Sequence, residues 1–530
     1  MIVSFTPLKN RSPYTAECTE SCLQQGIEVI GGDSKEYMND ILPNHMLSKM
    51  KKGESSVICA PTGCGKTTAI INQIINLPKS IRILYLVNRS LLEAQIRISL
   101  LEHKGYDARN WPMEAIFNAD LENITVTTYQ SEAKSGSLSN HYDVIIMDEI
   151  HYVMCDALFS FDSNSFFENL HNQLHSSKRL YISATPNEVF PIILNMERQH
   201  LKTCYTMNAD YSHYCFRYYN YNDIDVLTAA LKDRIDHNEK AMVFVRNIER
   251  GEAISEKLKD CPLIFAEMEN RESIEEIGKL EHFSAAAIVT TKILDNGISI
   301  NDTEVQHIVI EEIDPILWKQ MLGRIRTSRK KPTQLTIWMP DYTIQQLHQM
   351  LHYYSDQLRI LQELKKDIVT FMERPERLKP WMLQTMNGKL QVNTLAIRKL
   401  QNMKDHISCM IEDETEHPHA HIRFIRNMLQ LDELSESDFL NYDAMEDFKI
   451  KVQNAFAVFQ SSARLEQDRK LLETVLIDII VHTDVYPKRI TGNAIQLKSI
   501  NAILEFAGIT QRIEDLGKTY AVIGGNENEQ

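Results

Sequence analysis

Residues 56–76 read SVICAPTGCGKTTAIINQIIN. A β-branched apolar run stops at the turn Ala60-Pro61-Thr62-Gly63-Cys64-Gly65-Lys66-Thr67, and a helical pattern opens directly after it. That strand, turn and helix are the context a phosphate-binding loop requires. Gly63 and Gly65 let the backbone turn so that successive N–H groups point into one concavity, and the helix N-terminus adds its dipole. Lys66 is expected to reach the β- and γ-phosphates of a nucleotide, and Thr67 to give its hydroxyl to Mg2+. The loop alone means nucleotide binding and does not separate a kinase from a motor.

The same alternation runs from about residue 55 to 340. Its apolar runs are SVICA, IRILYLV, NITVTTY, DVIIMDE and RLYISAT, then AMVFV, LIFA, AAIVTT, VQHIVI and LTIWM. Short apolar runs separated by amphipathic segments predict buried parallel strands with crossover helices. The pattern pauses between residues 200 and 225, where YSHYCFRYYNYND is aromatic and polar, and restarts at Met242. Two consecutive α/β domains follow, with a junction near residues 205–215. After Tyr342 the strands are expected to stop. Ile344, Leu347, Leu351, Tyr354, Leu358 and Leu361 recur at helical spacing, and helical pattern continues to the segment INAILEFAGI, read as a packing helix ahead of the alternative of a nucleic-acid-reading one. The predicted organisation is an N-terminal extension (1–39), two parallel-sheet α/β domains (40–208 and 209–343), a mainly helical accessory domain (344–520) and a frayed tail (521–530).

Composition sets limits on function. At 530 residues the chain exceeds what one hydrophobic core supports. No apolar run approaches the roughly 20 residues of a membrane span, and MIVSFTPLKNRSPY lacks the layout of a signal peptide. An intracellular location, cytoplasmic or nucleoid-associated, and no membrane partner are therefore expected. A formal net charge of −15 argues against coating nucleic acid by bulk attraction. Any polynucleotide must be held in a local groove of backbone donors and a few cations. The nine cysteines are scattered. Cys18 and Cys22 form a CxxxC without a second pair at metal-ligand spacing, which reads as reduced thiols rather than zinc. His417, His419 and His421 alternate in HPHAH and read as a polar surface strand or loop.

Two further strand ends carry chemistry. Asp148-Glu149-Ile150-His151 closes the run DVIIM, and a carboxylate at the end of a parallel strand lies beside the phosphate loop. Asp148 is expected to hold Mg2+, and Glu149 to orient and deprotonate the attacking water. Hydrolysis, rather than nucleotide storage, is the stronger inference. Ser183 and Thr185, in SAT, can hydrogen-bond to the acidic box and pass on the state of the nucleotide, as His151 would from within it.

The ordered series APTGCGKT, DEIH, SAT, TTKILDNGISI and QMLGRIR resembles the superfamily 2 helicases of the DEAD/DEAH type, over about residues 40–340. The resemblance implies two RecA-like domains closing on ATP and Mg2+, with a nucleic-acid strand running across both. It implies nucleotide contacts from Thr62, Gly63, Cys64, Gly65, Lys66, Thr67 and Thr68, and from Gly297 of the second domain. It implies backbone contacts to nucleic acid from Arg89, Thr128 and Thr291. Gln320, Gly323 and Arg324 match the segment whose arginine reaches the γ-phosphate. Many relatives carry a second arginine three residues after the first; here Thr327 stands there and the next arginine is Arg326, a second catalytic candidate that would serve the γ-phosphate, anchor the loop or face the bound strand. Many carry an acid where Ser299 stands. The expected function is an ATP-dependent helicase or translocase acting on a single strand or duplex junction. DNA is favoured by the combination of DEIH with GR-x-R and by the lack of a convincing adenine-reading glutamine ahead of the phosphate loop. An RNA helicase and an ATP-gated clamp are the alternatives.

Overall fold

A computed structural model of the chain describes residues 18–135, 141–171, 176–258, 261–264, 282–291, 300, 302, 304–325, 334–368, 378–386, 389–431, 434, 438–440, 442–483, 496–517 and 519–523. The first sheet holds β1 (Glu28–Gly32), β2 (Ser55–Cys59), β3 (Ile83–Val87), β4 (Ile124–Thr128), β5 (Val144–Met147), β6 (Lys178–Ser183) and β7 (Leu201–Met207). Their order is β1-β7-β2-β6-β5-β3-β4, and every pairing is parallel. The second sheet holds β8 (Cys215–Asn220), β9 (Lys240–Phe244), β10 (Leu263–Ile264), β11 (Ala287–Thr290), β12 (Val305–Ile310) and β13 (Thr336–Asp341). It is also parallel throughout, in the order β10-β11-β9-β12-β13-β8. The residues of β3 and β5 are buried without exception, as expected of strands covered by helices on both faces. The chain is thus an α/β protein with two successive parallel sheets followed by a mainly helical region.

Three strands lie where the sequence pattern was silent, and each has a physical reason. β1, EVIGG, is an edge strand with two glycines and little burial. β7, LKTCYTM, sits between β1 and β2 yet carries exposed or half-buried Lys202, Thr203 and Thr206. β8, CFRYYN, is the far edge of the second sheet, where aromatic residues with strong strand preference alternate with polar ones. The apparent pause at residues 200–225 therefore contains the last strand of one sheet and the first of the next. The strands also do not stop at Tyr342. Two antiparallel ribbons follow, β14 (Leu383–Met386) with β15 (Lys389–Val392) and β16 (Arg512–Asp515) with β17 (Tyr520–Ile523).

The two longest helices, Ile344–Lys366 and Thr394–Glu416, each straddle both sheets. Leu347 and Met350 pack into the core of the second sheet, whereas Leu358, Leu361 and Leu364 pack into that of the first. The other helix runs the opposite way, with Leu395, Ala396 and Leu400 against the first sheet and Met403, Ile407 and Met410 against the second. Helices Tyr442–Ser461, Glu466–Thr483 and Leu497–Phe506 build a separate core from Phe448, Leu476, Ile500 and Leu504. The segment INAILEFAGI spends its apolar face there.

HPHAH is a corner between two helices rather than a surface strand. His417 ends helix Thr394–Glu416, His419 takes a left-handed backbone, and His421 is buried within helix Ala420–Leu429. Among the described residues no helix is long and apolar enough to cross a membrane.

Candidate nucleotide site and interdomain cleft

Parallel strands bring their carboxyl ends to one edge, and the order of the first sheet decides which ends become neighbours. β2, β6 and β5 are adjacent, with Cys59 in register with Ser183. The phosphate loop, the SAT segment and the acidic box therefore leave the sheet side by side. The Ala60 N–H donates to the Ser183 carbonyl at 3.2 Å, fixing the loop's first residue. Gly63 and Gly65 take φ of 74° and 76°, the left-handed region in which a side chain is strained. Helix Lys66–Ile75 opens at once, with Cys64 buried, Thr67 half-buried and Thr68 exposed. Lys66 is buried, and its ammonium donates to the Ala60 and Pro61 carbonyls at 3.0 and 2.9 Å.

The two acids stand on opposite sides of their ordinary behaviour. Asp148 is buried, accepts from the Tyr85 hydroxyl at 2.9 Å, and receives the Tyr129 hydroxyl on its carbonyl at 2.8 Å. Burial, then the charge of Glu149, pushes its carboxyl up to about 6. Glu149 has a φ of 51°, a left-handed backbone rare outside glycine, and its N–H donates to Asp148 Oδ1 at 3.0 Å. Burial alone would raise it too, but His151, Lys66 and Arg324 outweigh burial and hold it well below the usual carboxylate range.

From Glu149 a chain of polar contacts crosses between the sheets. His151 Nδ1 lies 3.3 Å from Glu149 Oε2 and 3.0 Å from Ser183 Oγ. Ser183 Oγ accepts the Thr185 N–H at 2.9 Å, and Thr185 Oγ1 accepts from Gln320 Nε2 at 2.9 Å. Gln320 accepts in turn from Arg324, whose Nη2 reaches its Oε1 at 2.5 Å and whose Nε reaches its carbonyl at 2.9 Å. Arg324 Nη2 stands 3.9 Å from Glu149 Oε1, which closes the circuit. Arg324 is 1% exposed and Gln320 fully buried. QMLGRIR is therefore no solvated basic face at its first arginine.

The element that delivers Arg324 is helix Pro315–Leu322. Asp314 caps it by accepting the Ile316 N–H at 3.0 Å, and proline follows at the first helical position. The helix stops at Leu322, so Arg324 lies in a turn. Its carbonyl accepts the Ile300 N–H at 2.9 Å, and Ile325 bridges to Ile300. Gly323 presses on the phosphate loop: a Cβ built there would sit 2.0 Å from Thr62 Oγ1.

The remaining expected residues are placed as follows. Arg89 makes a two-pronged ion pair with Asp156, at 2.7 and 3.0 Å, and lies over the Tyr152 ring. The Thr128 hydroxyl hydrogen-bonds with Ser131 across the start of helix Tyr129–Ser135. Thr291 follows β11 and donates its N–H to Ile264 at 3.3 Å. Gly297, Ser299, Arg326 and Thr327 lie outside the described residues. Sequence reasoning did not single out Tyr85, Gly323 as the neighbour of Thr62, or the buried trio Lys399, Glu188 and Asp314. Lys399 Nζ stands 2.7 Å from Glu188 Oε2 and 2.5 Å from Asp314 Oδ2, joining a helix after the second sheet to both domains. Three separate charges far apart in a chain carry no spacing signal, so only the fold reveals them.

Residues 15–188 match the family described as type III restriction enzyme, res subunit. No curated protein matches the sequence. Among solved structures, S. cerevisiae Dbp5 bound to RNA and ADP BeF3 is 13% identical, covers 56% of this chain and 82% of that one, and has a TM-score of 0.44. Mycobacterium smegmatis helicase Lhr bound to ssDNA and AMP-PNP is 16% identical over 62% of this chain, with a TM-score of 0.40; the match spans 48% of Lhr. The DUF1998 helicase MrfA bound to DNA is 18% identical over 55% of this chain and 44% of that one, also with a TM-score of 0.40.

Proposed function

We propose that this chain is a superfamily 2 helicase-type ATPase that hydrolyses MgATP between residues 40–208 and 209–343 to translocate on or unwind nucleic acid, with DNA the favoured substrate. The observation that carries this reading is the polar chain from Glu149 through His151, Ser183, Thr185 and Gln320 to Arg324. It joins the acid that would act on water to the arginine of the other domain. A change at the γ-phosphate is then felt by both sheets.

Lys66 would exchange its two loop carbonyls for phosphate oxygens. Asp148 and the Thr67 hydroxyl offer oxygen donors, the chemistry that suits Mg2+, and Mg2+ held there would neutralise charge building on the phosphates. Glu149, kept ionised by its cationic neighbours, is fitted to accept a proton from the attacking water. Arg324 is poised to stabilise the charge of the transferring phosphoryl group. With a net charge of −15, binding of a strand has to be local and made largely to its backbone. The preference for DNA rests on DEIH together with GR-x-R.

ATP turnover measured against a panel of single- and double-stranded DNA and RNA tests the proposal. A single strand, DNA above RNA, should accelerate turnover, and Lys66→Ala should abolish it. Turnover indifferent to every nucleic acid would overturn the motor reading. A clamp that hydrolyses ATP without displacing strands is favoured by one observation: two long helices packed on both sheets limit how far the domains part. Hydrolysis without displacement on any forked substrate would select it.

A further inference from the structure

Four of the nine cysteines, 186 residues apart at their extremes, meet directly behind the phosphate loop. Cys18 and Cys22 lie one turn apart on helix Cys18–Gln24, and so share a face. Cys59 ends β2 and immediately precedes Ala60 of the loop. Cys204 lies on β7 opposite Val57, which puts it on the same face of the sheet as Cys59, two residues along. The sulfurs of Cys18, Cys22 and Cys204 all lie within 4.8 Å of one another. Cys18 Sγ is 4.0 Å from Cys204 Sγ and 2.8 Å from Cys59 Sγ. Three of the four are buried and Cys59 is half-buried.

We propose that Cys18, Cys22, Cys59 and Cys204 form a tetrathiolate site for one zinc ion, which ties the N-terminal helix to the two strands behind the phosphate loop. Zinc bound tetrahedrally by sulfur at about 2.3 Å sets its ligands about 3.8 Å apart. The Cys18–Cys204 spacing of 4.0 Å is already near that value, and the 2.8 Å contact of Cys18 with Cys59 has to open to it for Cys59 to join as the fourth ligand. The chemistry agrees with the geometry. Buried thiols offer one another only weak hydrogen bonds, and buried thiolates repel unless a cation joins them. Four protein ligands leave no open position, so the site is structural. A four-iron cluster spreads its cysteines wider than a single ion does. The CxxxC motif alone gave no such signal because its partners, Cys59 and Cys204, stand singly on separate strands.

The test is metal analysis of the full chain, purified under reducing conditions without chelator. The expected result is about one zinc per chain, lost in Cys22→Ser and in Cys204→Ser. A core serine can itself unfold a protein, so the unaltered chain is also loaded with cobalt. The expected spectrum has tetrahedral d–d bands of high intensity and a sulfur-to-cobalt charge-transfer band sized for four thiolates. Both readouts are independent of ATP turnover, so they stand or fall apart from the motor reading. Zinc near zero in the unaltered chain with no cobalt–thiolate band overturns the proposal. So does iron with acid-labile sulfide, or a Cys18–Cys59 disulfide found by mass mapping.

Discussion

Asp148 and Glu149 are neighbours in sequence that titrate in opposite directions, and this divides their work. Asp148 is pushed up to about 6 by burial and by the charge beside it, whereas cationic neighbours keep Glu149 ionised. The sign for Mg2+ follows directly. A raised carboxyl carries its charge only above its raised value, so a Mg2+ ion held at Asp148 as proposed would compete with a proton as pH falls through about 6. Mg2+ affinity should then fall about tenfold per pH unit below that point, because one proton is displaced per ion bound. Glu149→Gln removes a like charge, lowers the Asp148 value and moves the acid limb about one pH unit down. Mg2+-dependent binding of a fluorescent ATP analogue between pH 5 and 8 measures both, without needing turnover. An acid limb unmoved in Glu149→Gln would assign it to another group. Lys66, Asp148 and Glu149 stand out in the sequence because Lys66 closes the glycine loop after β2 and the two acids directly follow β5, where the chemistry is written in consecutive letters. Tyr85 and Tyr129, which hold Asp148 from neighbouring elements, leave no such trace because nothing in their own strand or helix sets them apart from core aromatics.

Helix Pro315–Leu322 acts as an element, capped at Asp314 and halted at Gly323 so that Arg324 turns back toward Glu149. Gly323 has an ordinary φ of −78°, so its requirement is for space and not for backbone freedom. A methyl group there would meet Thr62 at 2.0 to 2.5 Å, inside the contact distance of any real Cβ. Gly323→Ala must therefore drive the helix end away from the phosphate loop, at a strain of about 1–3 kcal/mol. Because Arg324 follows in the chain, kcat for ATP should drop by roughly tenfold to a hundredfold, which is the same energy expressed at the barrier. Gly323→Ala combined with Thr62→Ala, compared with Thr62→Ala alone, tests the cause. Removing Oγ1 and Cγ2 of Thr62, at 2.0 and 2.5 Å from the added methyl, should recover part of the rate, and an equal further loss from Gly323→Ala in both backgrounds would place the clash elsewhere. Elements were legible in the sequence to the extent that burial was uniform. β3 and β5 are apolar throughout and were found, whereas β1, β7 and β8 are edge or partly exposed strands whose polar positions hide the run. The short ribbons after Tyr342 escaped for a related reason, as Lys389-Leu390-Gln391-Val392 is mostly exposed and too brief for any period.

At the scale of the molecule, the two sheets are held by more than the cleft between them. Lys399, on helix Thr394–Glu416, bonds Glu188 after the SAT segment and Asp314 at the cap of the arginine helix, all three fully buried or nearly so. Burial alone would push the Lys399 amine down, but Asp314 and Glu188 outweigh it and hold it above its ordinary value, so it is a cation. Asn402, one turn along, donates to the other oxygen of Glu188 at 3.0 Å. Opening the cleft must part Lys399 from one carboxylate or carry the helix with both. Lys399→Met strips the cation and leaves two carboxyls buried without it, an expected loss of about 3–5 kcal/mol. A role confined to stability would lower the melting temperature and leave kcat per folded molecule unchanged. Because Asp314 also caps the arginine helix, kcat should fall as well, with KM for ATP changing less. Lys399→Arg keeps the charge and should restore most of the rate, whereas Lys399→Met with Glu188→Gln should recover stability more than rate, since Asp314 stays unpaired. Melting curves and steady-state turnover of these three variants separate the outcomes. A kcat untouched in Lys399→Met would reduce the strut to a structural tie.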